Sequence, residues 1–516
     1  MTDRADPPEP PQADETARVA GRGGLALTFA KLYFILTGLV QQVLLPRVLG
    51  LDGYGALSSA LGAASIAYNP VVTTSIQGVS RAVASTREEE RPQALRRVLV
   101  VHAVLAVLLA TGFFAGASLV TAFMRAPHLV APLRVLSLVL LFYGLYSPLV
   151  GALNGTRRFV VQASFDVVFA TLRTGALVAG STLLSASGRG PLGAASGFVV
   201  VAALIAVAAA TVVGVGRAGP GGPSVREHVG FVAPLLAGQV LLNLLLQADL
   251  TLLRRFAGEA AAAAGLPLTA ADPLVGAYRA TQLYSFLPYQ LLVSVTFILF
   301  PMLATAAKER DRARIASYVA TGVRVALLLA GLLVSVTSGL SRALLRLVYT
   351  DEAAVLGGRA MQVLTLGFGT FAILGVLSAV LSSLGKERTA AGIVGVAVSL
   401  VVVLGFVTVR GTAFGEPLLF RTALATSVGL VLATGWAAFT VRRTAGAVVS
   451  PLTVARVLFS LAVAIGLAHL LPVVGKLLTL VECAVVAGAY LALLVATREL
   501  GAADARVVRT ILGGRK

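Results

Sequence analysis

The side chains in this sequence that could do chemistry are polar ones set inside long apolar runs. Arg279, Gln282 and Gln290 fall in one such run; Gln239, Asn243 and Gln247 recur at spacing four in another, with Asp249 close by. Lys31, Gln42 and Asn69 stand in two earlier runs. An ionisable group inside hydrocarbon is costly unless it faces water, a partner or a cavity, so each of these positions marks a candidate binding site. The chemistry on offer is hydrogen bonding and charge recognition. An arginine presents a planar fork that suits phosphate, and amides can hold sugar hydroxyls. Convergent carboxylates, a nucleophile beside a base, and metal-ligand spacings are not found. There are four histidines, of which only His228 has a carboxylate neighbour, Glu227, and the single cysteine is Cys483. No metal and no cofactor is expected.

Each candidate also has a structural reading. Lys31, Gly38 and Gln42 share a helical face, yet Lys31 is close enough to the end of its run to extend its ammonium into water. Asn69 precedes Pro70 and could satisfy a carbonyl freed by the kink. The Gln239, Asn243, Gln247 stripe could glue helices together. Asp166 and Arg173, seven apart on one face, are too far apart to pair unless Arg173 folds back. Arg279 shares a face with Gln282, Phe286 and Gln290, with Pro288 as a kink. It either binds an anionic substrate or pairs with Asp249.

The elements that must position these residues are membrane-spanning helices. The chain is 57% hydrophobic and 13% charged, against about half and about a quarter in soluble domains. Its apolar residues form blocks of twenty or more, long enough to cross a ~30 Å hydrocarbon layer as helices. They do not alternate as barrel strands would. The fold class is therefore all-α and polytopic, with about fourteen spans: 25–49, 55–84, 95–122, 129–153, 159–184, 192–215, 231–253, 274–303, 315–340, 355–381, 390–409, 418–439, 454–471 and 477–496. Residues 1–24 read as a disordered cytoplasmic tail, 216–230 as a cytoplasmic linker and 497–516 as a basic cytoplasmic tail. The first run lacks a cleavage site and reads as a retained span.

The net charge of +19 is not a nucleic-acid stripe, because the basic residues sit in the gaps between apolar blocks. One set of alternate segments carries 25 Lys and Arg, the other 10. The richer set is assigned to the cytoplasm, with both termini inside.

The chain echoes itself. Leu49-Gly50-Leu51-Asp52-Gly53-Tyr54 resembles Pro273-Leu274-Val275-Gly276-Ala277-Tyr278, and the loops around Gly155 and Gly385 repeat at nearly the same offset. Two parallel six-helix halves are expected, 25–215 and 231–440, followed by an added pair at 451–496.

Pro46-Arg47-Val48-Leu49-Gly50 with Gly53-Tyr54-Gly55 resembles the opening of bacterial polysaccharide-export flippases. Val275-Gly276-Ala277-Tyr278-Arg279-Ala280-Thr281-Gln282, then Leu287-Pro288 and Leu299-Phe300-Pro301-Met302-Leu303-Ala304, resembles their eighth span. The family is the multidrug/oligosaccharidyl-lipid/polysaccharide (MOP) superfamily, with its Wzx-type O-antigen and MurJ-type lipid II flippases. The resemblance implies a cavity between two halves that opens alternately to either side, with arginines holding the pyrophosphate of an undecaprenyl carrier. Arg279 matches the eighth-span arginine of the MurJ type. The first span departs, with Gln41 and Gln42 where that type has an Arg-Asp pair, and Asn69-Pro70 stands near the place of its missing paired arginines. This points away from lipid II toward another polyprenyl-linked oligosaccharide, such as an O-antigen or exopolysaccharide repeat unit.

The expected function is thus a lipid-linked oligosaccharide flippase in the bacterial inner membrane, not an enzyme. Its partners are the substrate, membrane lipids and a coupling ion, H+ or Na+; nucleic acid is not among them. A drug–cation antiporter of the same superfamily is the alternative, for which Asp166 and Asp249 would be the cavity acids. A membrane enzyme acting on lipid-linked sugars would need carboxylates in an outer loop, and the longest such segment, 254–272, offers only Glu259 and Asp272.

Overall fold

The computed structural model describes residues 12–472 and 475–501. Among them every regular element is helical. Thirteen stretches are long and apolar enough to cross a membrane, and the first, 62 residues long, is enough for two. That first helix, α1 (Gln12–Ala84), breaks at Gly50, whose φ of 71° and ψ of 175° are not helical. Such a φ is open to glycine at little cost. The break separates the first two expected spans. The helix begins inside the stretch expected to be a disordered tail to residue 24; residues 1–11 lie outside the described residues, as does most of the basic tail.

The order continues with α2 (Arg91–Phe123), α3 (Val130–Gly155), α4 (Phe159–Ser185), α5 (Gly190–Val213) and α6 (Val225–Ala263). After them come α7 (Asp272–Ser285), α8 (Leu287–Lys308), α9 (Arg312–Gly339) and the short α10 (Ser341–Val348). The last five are α11 (Asp351–Ser383), α12 (Glu387–Thr408), α13 (Glu416–Ala445), α14 (Pro451–Leu470) and α15 (Lys476–Ala496). The expected eighth span is two helices, α7 and α8. They meet at Phe286, two residues before Pro288, which lies in the first turn of α8. Proline there has no N–H to donate to the preceding turn, so the ladder is interrupted just before it.

The chain forms two compact units, each a set of helices not contiguous in sequence. One holds the chain up to Leu49 with Ala64–Ser118 and Val130–Val240; the other holds Gly50–Ala63, Leu119–Leu129 and everything from Leu241. In the first unit α5 packs against both α3 and α4. In the second, α11 is central, with α7, α8, α9 and α13 against it. Its buried face runs through Met361, Leu364, Phe368, Phe371 and Leu377. Ser427 and Thr434 of α13 donate hydroxyl hydrogens to the carbonyls of Val363 (2.8 Å) and Thr370 (3.1 Å) on α11. Hydroxyls of this kind hold helices together where water-driven association is missing.

Also inside the second unit, the segment 50–63 lies directly on α7. A Cβ on Gly55 would stand 1.9 Å from the Asp272 carbonyl oxygen, and one on Gly276 2.2 Å from that of Leu51. The two stretches that echo one another in sequence therefore touch backbone to backbone.

Candidate functional site

In the second unit the candidate residues form a connected polar chain. Asp249 of α6 is 1% exposed, and its carboxylate is fully engaged. It accepts from the Leu250 backbone N–H (2.7 Å), from Tyr278 Oη (3.0 Å) and from Gln282 Nε2, which is 3.1 Å from both oxygens. Tyr278 and Gln282 are one turn apart on α7, so a single helix face presents both donors. The other end of the Gln282 amide accepts from Arg279 Nη1 at 2.9 Å. The two readings of Arg279 thus meet halfway: it is tied to Asp249 through a neutral amide rather than by direct pairing. Gln282 leaves the half-buried guanidinium with donors to spare, since arginine carries five N–H groups. Tyr54, from the segment after the Gly50 break, is buried beside Arg279, Ser58 and Tyr349. The Tyr54 and Tyr349 rings lie 6.3 Å apart between centroids.

Asn243 and Gln247 lie on α6 ahead of Asp249. Asn243 is buried. Gln247 Oε1 is buried with no hydrogen-bond partner and sits 3.0 Å from where a Cβ on Gly62 would be. Gln290 is exposed and belongs to α8. The expectation that Arg279, Gln282, Phe286 and Gln290 share one continuous helix face is corrected by the junction at Phe286.

The remaining candidates, Lys31, Gln42 and Asn69, belong to the first unit. Lys31 is exposed on α1, within electrostatic reach of Asp166 on α4. Gln42 is half-buried and Asn69 exposed. Arg173, two turns along α4 from Asp166, goes elsewhere. Its guanidinium lies over the rings of Phe34 (4.7 Å), Phe169 (5.7 Å) and Phe198 (6.0 Å), an arrangement in which ring quadrupoles stabilise the cation. The nine candidates are therefore divided, three in one unit and six in the other.

Three polar clusters escaped the sequence reading. Arg254, 0% exposed, lies 3.3 Å from Asp272 and donates to the Leu268 carbonyl at 3.1 Å; His128 is 3.0 Å from the same carboxylate. In the first unit His102 bridges Ser75 (2.9 Å) and His228 (3.0 Å) in the interior. Near the C-terminus Glu499 takes Arg324 of α9 and, from α14, Arg456 (3.3 Å) and Thr453 (3.1 Å). Burial pushes this carboxyl up, but the hydrogen bonds from Arg324, Thr453 and Arg456 outweigh it and hold the group below its ordinary value. The signals for these were ionisable residues near span ends, which loop charges share, and a lone histidine, His102, inside a span. Among the described residues no group of three or more His, Cys, Asp or Glu could hold a metal.

The chain is a helical membrane fold with a half-buried arginine on a broken helix. A family profile for polysaccharide biosynthesis proteins matches residues 20–307, and the chain belongs to that family. Its fold is shared with solved structures of MOP superfamily transporters. The lipid II flippase MurJ in an inward closed conformation aligns with a TM-score of 0.74 at 14% identity, over 92% of this chain and 99% of that one. An inward-facing multidrug resistance MATE family transporter aligns with a TM-score of 0.59 at 14% identity, over 78% and 95%. A MOP superfamily transporter from Pyrococcus furiosus gives 0.54 at 15% identity, over 82% and 95%. No curated protein matches the chain.

Proposed function

We propose that the protein is a flippase, not an enzyme, that moves a polyprenyl-pyrophosphate-linked oligosaccharide across the bacterial cytoplasmic membrane by alternating access. In this reading both termini are cytoplasmic, the two six-helix halves 25–215 and 231–440 work against each other, and H+ or Na+ couples the cycle. A pyrophosphate-sugar headgroup cannot cross hydrocarbon unaided, whereas its lipid tail can remain in the bilayer throughout. A protein need only offer the headgroup a polar, cationic path.

The observation that carries the reading is Arg279. It is a half-buried arginine within a span, steadied by a neutral amide and flanked by a tyrosine, so its charge is held in place without being consumed. A guanidinium in that state suits a phosphate oxygen pair. The drug–cation alternative would rely on Asp166 and Asp249, and of these Asp249 already accepts from three residues. The test is reconstitution of the purified protein into vesicles, once with a fluorescent undecaprenyl-pyrophosphate oligosaccharide and once with a cationic dye. Headgroup crossing without dye movement is expected. Dye transport with a stationary headgroup would overturn the reading in favour of an antiporter.

A further inference from the structure

Within the first unit, α2, α3 and α5 leave a groove of about 470 Å3 between them. Its walls are apolar, with Leu99, Ala103, Leu145, Pro148 and Ala206 among them, and Arg96 stands at one end. Val100, Val104 and Val207, also on the groove, are about half exposed or more, as residues facing lipid would be. A second hollow of about 200 Å3 is lined by the same three helices together with Val83 of α1, and holds Arg91 and, at the start of α4, Arg158. The two linings are immediate neighbours: Leu95 precedes Arg96, Leu153 is one turn from Leu149, and Gly216 follows Val215.

The three arginines are differently placed from those around them. Arg97 spends its guanidinium on the carbonyls of Gly222 and Pro223, which fastens the 214–224 stretch against the start of α2. Arg91 is half-buried; it lies 3.6 Å from the exposed Glu88, and its Nε has no hydrogen-bond partner. Arg96 and Arg158 are exposed. The result is an apolar, laterally open groove that ends in a cationic cup at the end of the helices assigned to the cytoplasmic face.

We propose that this groove and cup bind an anionic phospholipid of the surrounding membrane, with its phosphate on Arg91, Arg96 and Arg158 and an acyl chain along α2, α3 and α5. Basic pockets between spans on the cytoplasmic side are suited to anionic headgroups. A zwitterionic lipid would fill the groove, but its ammonium offsets its phosphate and leaves the net charge of the cup uncompensated. A free phosphate would meet the cup but lack the tail that the groove accommodates. The site is separate from Arg279, so it stands or falls independently of what the protein transports.

The experiment is lipid titration of the purified full-length protein in detergent, read by native mass spectrometry. Phosphatidylglycerol is expected to be retained in preference to phosphatidylcholine. The double variant Arg96→Gln, Arg158→Gln should weaken phosphatidylglycerol roughly 30-fold, at about a factor of five per surface cation, and weaken the net-neutral phosphatidylcholine far less. Arg96→Lys, Arg158→Lys should retain most of the binding, which separates loss of charge from loss of fold. Ala103→Trp, which fills the groove, should weaken both lipids. Millimolar inorganic phosphate should displace neither. Equal retention of the two lipids, or undiminished phosphatidylglycerol binding by the glutamine variant, would overturn the proposal. So would displacement by undecaprenyl phosphate at concentrations below those at which phosphatidylglycerol itself binds, since the groove would then belong to the carrier lipid.

Discussion

Replacing Arg279 by lysine keeps the charge and removes the fork. In the structure one guanidinium nitrogen is committed to Gln282 Oε1 at 2.9 Å, and the group also faces Tyr54. The fork leaves other N–H groups for substrate. A lysine ammonium has a single nitrogen, which must either hold Gln282 or meet a phosphate oxygen. Losing one hydrogen bond to a charged partner costs about 1.5–3 kcal/mol, and at 1.36 kcal/mol per tenfold this is roughly a 10- to 150-fold loss of transport. Arg279→Ala should abolish transport. Asp249 keeps its bonds from Tyr278, Leu250 and Gln282 in both variants, so abundance should hold. The assay is complementation of a flippase-deficient strain with membrane abundance measured alongside. Full transport by Arg279→Ala at normal abundance would refute the role given to this residue. A collapse in abundance rescued by adding Asp249→Asn would instead make Arg279 a structural counter-charge.

Three further outcomes are expected. Single cysteines at Lys386 or Arg442 in a Cys483→Ser background should resist an impermeant thiol reagent added outside cells; labelling there would reverse the topology. Arg254→Met leaves the buried Asp272 with His128 alone, and breaking a buried pair costs about 3–5 kcal/mol, so thermal unfolding in detergent should shift well down and Asp272→Asn should restore part of it. For Glu499, the folded-state value lies below the ordinary 4.5, so its stabilisation is present above that value and is lost as pH falls through the folded one. The thermal midpoint of the native protein should therefore drop more on acidification below about pH 4.5 than that of Glu499→Gln, and parallel curves would remove the role.

The helices were legible in the sequence because a span is a length requirement on apolar residues, and composition alone meets it. The gap after residue 49 marked the first turn, and Pro288, read as a kink, lies two residues after the break at Phe286. α10 was not legible: eight residues with Arg342 and Arg346 on the exposed side and Leu344 and Leu345 buried fall short of any window that finds spans. The site was half legible. Periodicity places Arg279 and Gln282 on one face and predicts nothing about Asp249, which sits on another helix 33 residues away. Arg173 shows the limit from the other side, since its partners are rings of Phe34, Phe169 and Phe198, which in a one-dimensional reading are indistinguishable from lipid-facing bulk.

The contact of Gly55 with α7 has a mechanical meaning. Where two backbones touch without side chains between them, nothing interlocks, so the surfaces can part without any rotamer having to move first. Whatever resists separation must come from the polar groups at its border. Asp272 serves on both counts: its carbonyl oxygen forms the smooth face against Gly55, while its carboxylate, held by Arg254 of its own half, meets His128 of the other. Under the cycle proposed above, closure on this side would be a flush contact fastened at its border by His128 on Asp272, Arg125 on Glu259 and Arg255 on the Phe123 carbonyl. The strength of the fastening can then change through these border residues without altering the fit of the seal.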